Sequence, residues 1–524
     1  MNRAWLKNIR VILAIVFFMY ALIIFLDFAG LIGERLYHGF TFLQFTPSLI
    51  EFIHLLGATS LGFLVVILLT LVFGRIYCST LCPAGVFQDM LIFLKRKIRK
   101  KERFHFLRAR PGIRLAILGI VLLSVLAGSM AVLNLLDPYS LFGRITAELF
   151  RPLVIGINNL LASFLKLFHN FSIKPVEIRS FMVGSFLAAM FSLIVLVLFP
   201  LFRGRQYCNT LCPVGTILGY LSKFSLYRIT LDKSACTQCG ECMFTCKAGC
   251  INIKKKEVDL TRCVACFNCL NVCSLNGVRY APVWKKATAE VAPAEPDLSK
   301  RNFLLTSAIL LGSLVTVKGQ PGHRGGFGQG RHLQGGKGND LAVSPPGSLS
   351  HQHFTSACTG CYLCVSACPT QVLQPSLASY GWEGLFQPVM DYRVSFCNYD
   401  CVVCSQACPT GAILPLTTDA KKEVQVGIAR FIKRECIVFT KNTACGACSE
   451  HCPTKAVNMV PYKYGLTIPE VTPSICVGCG ACEYACPTDP KAIVVDANPV
   501  HLKARLPVET ENGKGVDYKE EFPF

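Results

Sequence analysis

Three features of the 524-residue sequence predict a membrane α-helical bundle of four to five transmembrane helices joined to small, cysteine-built α+β domains. They are four long apolar runs, repeated cysteine groups of one spacing, and a composition 52% hydrophobic against 16% charged. With a mean hydropathy of +0.44 the chain is too apolar for an ordinary soluble protein, and it is long enough for several domains. Its 29 cysteines cluster at spacings of two and three residues, unlike the disulfide framework of a small secreted domain.

The apolar runs are 9–31, 47–73, 113–136 and 179–201, each reaching the roughly 20 residues that cross a bilayer as a helix. The first lacks a small-residue cleavage site and is too long for a signal peptide. Arg3, Lys7 and Arg10 precede it, and the loop after the second run is crowded with Arg75, Lys95, Arg96, Lys97, Arg99, Lys100, Lys101 and Arg103. The loop after the first run holds only Arg35. The positive-inside rule then places the N-terminus, residues 74–112 and the chain after the fourth run in the cytoplasm. Net charge is +21, of which +18 falls in 1–297 and +3 in 298–524. Because the positive charge flanks apolar runs and no nucleic-acid-reading module is present, it points to membrane topology and away from nucleic acid.

Within 1–227, "GRIYCSTLCPAG" (74–85) and "GRQYCNTLCPVG" (204–215) each follow an apolar run. Two helices plus one Cys-x3-Cys-Pro motif, repeated, is an internal duplication. Pro83 and Pro213 suit the first turn of a new helix. After Pro83, the recurrence of Phe87, Leu91, Leu94 and Ile98 among basic residues reads as an amphipathic helix on the inner membrane surface.

The spacing Cys-x2-Cys-x2-Cys-x3-Cys is the bacterial ferredoxin run, in which three thiolates grip one iron–sulfur cubane and the fourth reaches its neighbour. Zinc is the competing metal for soft thiolates, but zinc sites rarely need that third and fourth spacing. The run occurs in 228–285 as Cys236, Cys239, Cys242, Cys246 and as Cys263, Cys266, Cys269, Cys273. The fourth-cysteine rule groups Cys236, Cys239, Cys242 with Cys273, and Cys263, Cys266, Cys269 with Cys246. Between them, "INIKKKEVDLTR" fits two short strands around a polar turn.

Residues 355–495 carry four more groups. These are Cys358, Cys361, Cys364, Cys368; Cys397, Cys401, Cys404, Cys408; Cys436, Cys445, Cys448, Cys452; and Cys476, Cys479, Cys482, Cys486. Both regions therefore read as α+β ferredoxin-like iron–sulfur domains, holding six [4Fe–4S] clusters on 24 cysteines. Cys250 is left over and is expected to fill a small apolar position. Between the domains lie a 298–318 segment that reads as a fifth, tilted crossing or signal anchor, or as an interfacial helix, and a Gly-rich linker, 319–354. His323, His332, His351 and His353 there read as solvated linker residues in preference to a metal site. Residues 496–524 read as a polar tail.

So many redox centres point to one-electron transfer. No Ser-His-Asp set, P-loop or dinucleotide fingerprint accompanies them, so no catalytic residue is assigned. The alternatives are an assembly factor supplying electrons for the maturation of a partner metalloenzyme, and a cluster-bearing redox sensor.

These motifs carry a resemblance. The first 285 or so residues resemble the NapH type of membrane ferredoxin, through the two Cys-x3-Cys-Pro motifs, "LDPYSLFGR" and two cluster runs. The remainder resembles the NapG type, through "KRNFL", "SPPGSLSHQHFTSACTGCYLCVSACPT" and four runs. The methylamine-utilisation ferredoxins are similar. The resemblance implies a head-to-tail fusion of the two, a multi-pass inner-membrane quinol dehydrogenase module feeding a terminal reductase or small redox protein. It implies an extracytoplasmic C-terminal domain, although Lys300 stands where the first arginine of a twin-arginine signal belongs.

Cys78, Cys82, Cys208 and Cys212 stay open to several readings: a further iron–sulfur centre, a redox thiol set, small packing residues, or a thiol–disulfide partner site. A quinone site is less legible. Asp27, Glu51 and His54 near the outer helix ends suit proton handling or plain interfacial anchoring.

Overall fold

The computed structural model describes residues 3–27, 32–55, 60–98, 103–284 and 341–506. Its first half is helical: α1 (Arg3–Leu26), α2 (Glu34–Phe42), α3 (Phe45–Leu55), α4 (Gly62–Phe73), α5 (Tyr77–Thr80), α6 (Pro83–Ile98), α7 (Pro111–Leu126), α8 (Ala131–Leu136), α9 (Pro138–Ile145), α10 (Arg151–Lys166), α11 (Val183–Arg203) and α12 (Pro213–Leu221). Prolines open α6, α7, α9 and α12, where a missing N–H costs no intrahelical bond. Asp137 caps α9, its carboxylate accepting from the Ser140 N–H at 2.8 Å.

Among the described residues three helices are long and apolar enough to cross a membrane: Trp5–Leu26, Pro138–Lys166 and Val183–Arg203. The expected crossings at 47–73 and 113–136 are each broken. The first divides into α3 and α4, and the Ser48 hydroxyl serves the freed backbone, donating to the Ser60 carbonyl and accepting from the Phe63 N–H, both at 2.8 Å. The second divides at Gly128, whose φ of +83° turns the chain. The Pro138–Lys166 stretch, α9 and α10 joined by a π-helical turn at Thr146–Phe150, is a candidate span the apolar runs did not reveal. Arg144, Glu148, Arg151 and two asparagines dilute its hydropathy. The fifth segment, 298–318, lies outside the described residues, as do His323 and His332.

The amphipathic helix is α6, and it is inverted relative to a soluble one. Gln88 and Asp89 point inward, while Leu94 and Ile98 are 53% and 73% exposed, beside exposed Met90 and Phe93. An outward apolar stripe fits a helix bedded in lipid.

The cysteine-rich units are small two-stranded sheets with a one-turn helix around the third cysteine of each run. In the first, β1 (Tyr227–Leu231) pairs with β4 (Val278–Pro282), and β2 (Ile251–Asn252) with β3 (Glu257–Val258), giving the expected strands around the Lys-rich turn. In the second, β5 (Leu373–Gln374) pairs with β6 (Val389–Met390), β8 (Val457–Pro461) with β9 (Thr467–Val471), and β7 (Val424–Phe431) with β10 (Ile493–Lys503), all antiparallel. This unit is larger than 355–495. An arm from 341 packs Val343 and Ser344 into it, and β10 carries the ladder eight residues past 495. His351 and His353 are thereby helical and packed, not linker residues. The His351 ring lies 5.1 Å from Tyr380, and His353 bonds the Gly411 carbonyl.

The two units sit at opposite ends of the helices. At one end the Leu226 N–H donates to the Leu71 carbonyl of α4, and the Arg205 N–H, just past α11, donates to the Lys247 carbonyl. At the other, Asn134 donates to the Leu385 carbonyl, Arg144 to Gly360 and Gln371 to Glu177. Helix α1 runs between them. Arg10 near its start meets Asp89, and Phe25 near its end packs on Phe142 beside Cys361. At 1.5 Å per residue such a helix is about 36 Å long.

Candidate metal centres

Four of the six cysteine loops curl through left-handed residues. Gln238 and Gly240, Ala265 and Phe267, Gly360 and Tyr362, and Gly478 and Gly480 all have positive φ. Such alternation turns successive backbone N–H groups inward, a concavity suited to an anion. Several N–H groups already reach sulfur: Gly360 to Cys358, Ile413 to Cys408, Ala429 to Cys476 and Ala492 to Cys486, at 3.4–3.5 Å.

The structure sets the predicted cysteines within electrostatic reach of one another or along a shared cleft, and in each pair of runs the fourth cysteine lies near the first three of the other run. Burial, then Cys236, Cys239 and Cys273, push Cys242 up to about 11. A cleft of about 320 Å³ is lined by Cys263, Cys266, Cys269 and Cys246. Cys364 lies within electrostatic reach of Cys358, Cys361 and Cys408, and Cys404 within reach of Cys397, Cys368 and Cys401. Cys436, Cys445 and Cys448 share a cleft of about 350 Å³ with Cys486, while Cys482 faces Cys479, Cys476 and Cys452.

Two features of these groups were not read from spacing. The threonine of each Cys-Pro-Thr sets its hydroxyl 3.2–3.8 Å from the fourth sulfur, as Thr370, Thr410, Thr454 and Thr488. Repetition of that tripeptide was the available signal. Cys250 is not an isolated packing residue. Its sulfur lies 3.5 Å from that of Cys246 in the cleft of the second group, and the contact between them lowers the Cys246 thiol below its ordinary range.

Cys78, Cys82, Cys208 and Cys212 converge as well. All are 3–4% exposed and within electrostatic reach of one another. Around them the duplication becomes a clasp. Arg75 donates to the Cys208 carbonyl at 3.2 Å, and Arg205 donates to the Cys78 carbonyl at 2.6 Å. A side chain on Gly85 would lie 2.3 Å from the Cys78 carbonyl, and one on Gly215 2.2 Å from that of Cys208, so both repeats need glycine there. Arg75 also reaches the Cys78 sulfur at 3.7 Å and the Thr261 carbonyl at 2.9 Å, two residues before Cys263. Burial opposes ionisation of Asp89, but Arg205, Lys247 and Arg10 hold its carboxyl well below the usual range.

On the far side, Tyr77 donates to Gln44, and Tyr207 to the Leu136 carbonyl. Tyr139 lies within reach of Tyr77 on one side and of Cys361 and Cys408 on the other. One continuous core holds the four thiols together with Cys242, Cys246, Cys266 and Cys269 at one end and Cys361 at the other.

Of the residues considered for quinone chemistry, Asp27 accepts from the Ile32 N–H at 3.0 Å, Glu51 is half-buried, and the His54 ring lies 5.5 Å from that of His353.

The chain thus sets cysteine groups beside helices long and apolar enough to cross a membrane, and comparison finds it similar to ferredoxin-type proteins. A 4Fe-4S binding domain model matches 55–101 and 185–231, the stretches carrying the Cys-x3-Cys-Pro motifs. 4Fe-4S dicluster domain models match 357–413 and 443–489. Among its relatives is the methylamine utilization ferredoxin-type protein MauM of Methylophilus methylotrophus, 38% identical over 26% of this chain and 62% of that protein. MauN of Methylobacillus flagellatus is 30% identical over 33% of this chain and 48% of its own. The ferredoxin-type protein NapH of Haemophilus influenzae is 25% identical over 41% and 66% respectively. The chain thus spans about three fifths of the length of the first curated relatives it matches. No solved structure matches it.

Proposed function

We propose that this protein is a membrane-bound polyferredoxin. It takes electrons from the quinol pool or a dehydrogenase and passes them through six [4Fe–4S] clusters to a terminal reductase or small redox protein outside the cytoplasm. The observation that carries this reading is the unbroken core in which four buried thiols stand between the cysteine groups at the two ends of the helices.

The donor sets suit the cofactor: soft thiols, inward backbone N–H groups and hydroxyls on sulfur, which together favour anionic thiolate-bound iron. The ligand sets would be the six crossed groups described above. Such clusters supply one-electron storage when bound. The four thiols at the Cys-x3-Cys-Pro motifs fit a further centre of the same kind, with Arg75 and Arg205 balancing its negative charge. Burial of every one of them beside two buried arginines favours this over simple packing.

The four-group unit docks at the helix ends opposite the basic loops, and the positive-inside rule then puts it outside the cytoplasm. That arrangement agrees with a fusion of NapH-type and NapG-type components. Iron and acid-labile sulfide counts on anaerobically purified protein test the reading. About 24 iron atoms belong to the six cubanes, with more if the four-thiol site is filled; a zinc-only or colourless preparation would refute it. Clusters that reduce with a quinol while the partner reductase still lacks its metal in a deletion strain would point instead to a maturation role.

A further inference from the structure

Three carboxylate residues are buried among the described residues, and their surroundings differ. Asp89 is held by Arg10, Arg205 and Lys247. Asp137 caps a helix and accepts from the Ser140 N–H and the Thr46 hydroxyl. Glu148 has neither a cation within salt-bridge distance nor a backbone N–H bonded to it among the described residues. It sits on the π-helical turn of the Pro138–Lys166 span, a distortion that often marks a functional site. An uncompensated carboxylate at membrane depth is expensive and by default functional.

What Glu148 does touch is a chain of hydroxyls. The Ser185 Oγ donates to its Oε1 at 2.9 Å and lies 3.2 Å from the Tyr362 hydroxyl, which donates to the Ser376 carbonyl at 3.1 Å. Tyr362 stands between Cys361 and Cys364. When Glu148 is ionised, Ser185 donates to it; when Glu148 carries a proton it can donate back to Ser185, and no heavy atom has to move. Beside Ser185, Gly184 is exposed, and an added side chain there would meet only Leu377, at 3.9 Å. Phe181, Val183 and Leu187 on the same stretch, and Leu377, are exposed as well, so the surface beside Ser185 is open and apolar.

We propose that Glu148 and Ser185, backed by Tyr362, form the site where a lipid-soluble hydroquinone is oxidised against the cysteine group of Cys358, Cys361, Cys364 and Cys408. This rests on the reading that quinol is the electron source. The hydroquinone loses two electrons and two protons as both O–H bonds break and two ring carbonyls form. The electrons leave singly, to the iron–sulfur acceptors of that group and of the adjoining Cys368, Cys397, Cys401 and Cys404 group. The Glu148 carboxylate takes the first proton and releases it to water on that side before taking the second.

The test uses the anaerobically purified, cluster-loaded full chain in nanodiscs, reduced by a short-chain hydroquinone or by dithionite. Glu148→Gln should slow reduction by the hydroquinone at least ten-fold while dithionite yields the parental cluster EPR spectrum, and Glu148→Asp should restore part of the rate. Ser185→Ala provides a second variant should the glutamine one not assemble, with a smaller loss of the same kind. An azidoquinone should label the peptides carrying Glu148 or Ser185, whatever the turnover. Parental rates in Glu148→Gln and Ser185→Ala, or labelling confined to other helices, would overturn the site while sparing quinol as donor. A parent that accepts electrons from no hydroquinone would sink both.

Discussion

Arg75 donates to the carbonyl of Cys208, 133 residues further along the chain. The reciprocal bond, from Arg205 to Cys78, closes a clasp that neither copy of the motif could make alone. Removing the Arg75 fork leaves the Cys208 carbonyl and the Asn209 Oδ1 without their guanidinium donor, while the Thr261 carbonyl keeps only Arg114. Bonds to charged groups contribute about 1.5–3 kcal/mol each. Arg75→Met should therefore destabilise the membrane half by roughly 3 kcal/mol or more. Arg75→Lys should recover little, since an ammonium cannot span the same acceptors. Thermal unfolding in detergent reads the effect; a loss below about 1 kcal/mol for both would contradict the clasp.

Asp89 anchors three cations from three segments: Arg10, Arg205 and Lys247. Asp89→Asn leaves those charges buried together, and breaking a buried ion pair typically costs about 3–5 kcal/mol. The variant should accumulate poorly or unfold early. Because the folded carboxyl is held below its unfolded value, its contribution is present above about pH 4 and is lost only in stronger acid. Stability attributable to this node should be flat from pH 5 to 8, as a denaturant midpoint series would show.

His501 behaves the other way. Burial lowers it to about 4, and it holds the arm to β10 through the Ser344 hydroxyl at 2.9 Å. The unfolded imidazole takes a proton near pH 6.5, whereas the folded one resists to about pH 4. Stability should therefore fall as pH drops through that window, by roughly 3 kcal/mol over the whole of it. Protease cleavage within 341–350 should rise from pH 7 to pH 5 in the parent, and His501→Gln should flatten the dependence.

The Cys250 sulfur lies 3.5 Å from that of Cys246 in the second group, so with Cys246 as a thiolate ligand the Cys250 S–H would donate to it. Loss of a hydrogen bond to a ligand sulfur makes a cluster harder to reduce. Cys250→Ala should keep the parental iron content and shift one EPR-monitored midpoint to more negative potential. Loss of iron would instead make Cys250 a ligand.

Spacing alone pointed to the ferredoxin-like units, because cubane ligation ties sequence distance directly to geometry, and in 228–285 Cys273 lies near Cys242 and Cys246 near Cys269, as the fourth-cysteine rule expects. The same rule extends through the four-group unit. Breaks at Ser48–Ser60 and Gly128 were hidden inside apolar runs, since hydropathy records burial and not helix continuity. The Pro138–Lys166 span was hidden for the opposite reason: Arg144 and Glu148, which give it meaning, lower its hydropathy. Arg75 and Arg205 were visible as repeated letters, but beside an apolar run an arginine reads as a topology signal. Only the fold shows each one reaching the other repeat.

The most direct test of the central claim compares the parent with a Cys78→Ser, Cys208→Ser double variant by iron and sulfide analysis and freeze-quench EPR. If the four thiols link the two cluster units, the variant should lose one centre's iron, and electrons supplied at one end should no longer reach the cysteine groups at the other. Equal iron with parental equilibration between the ends would contradict the account.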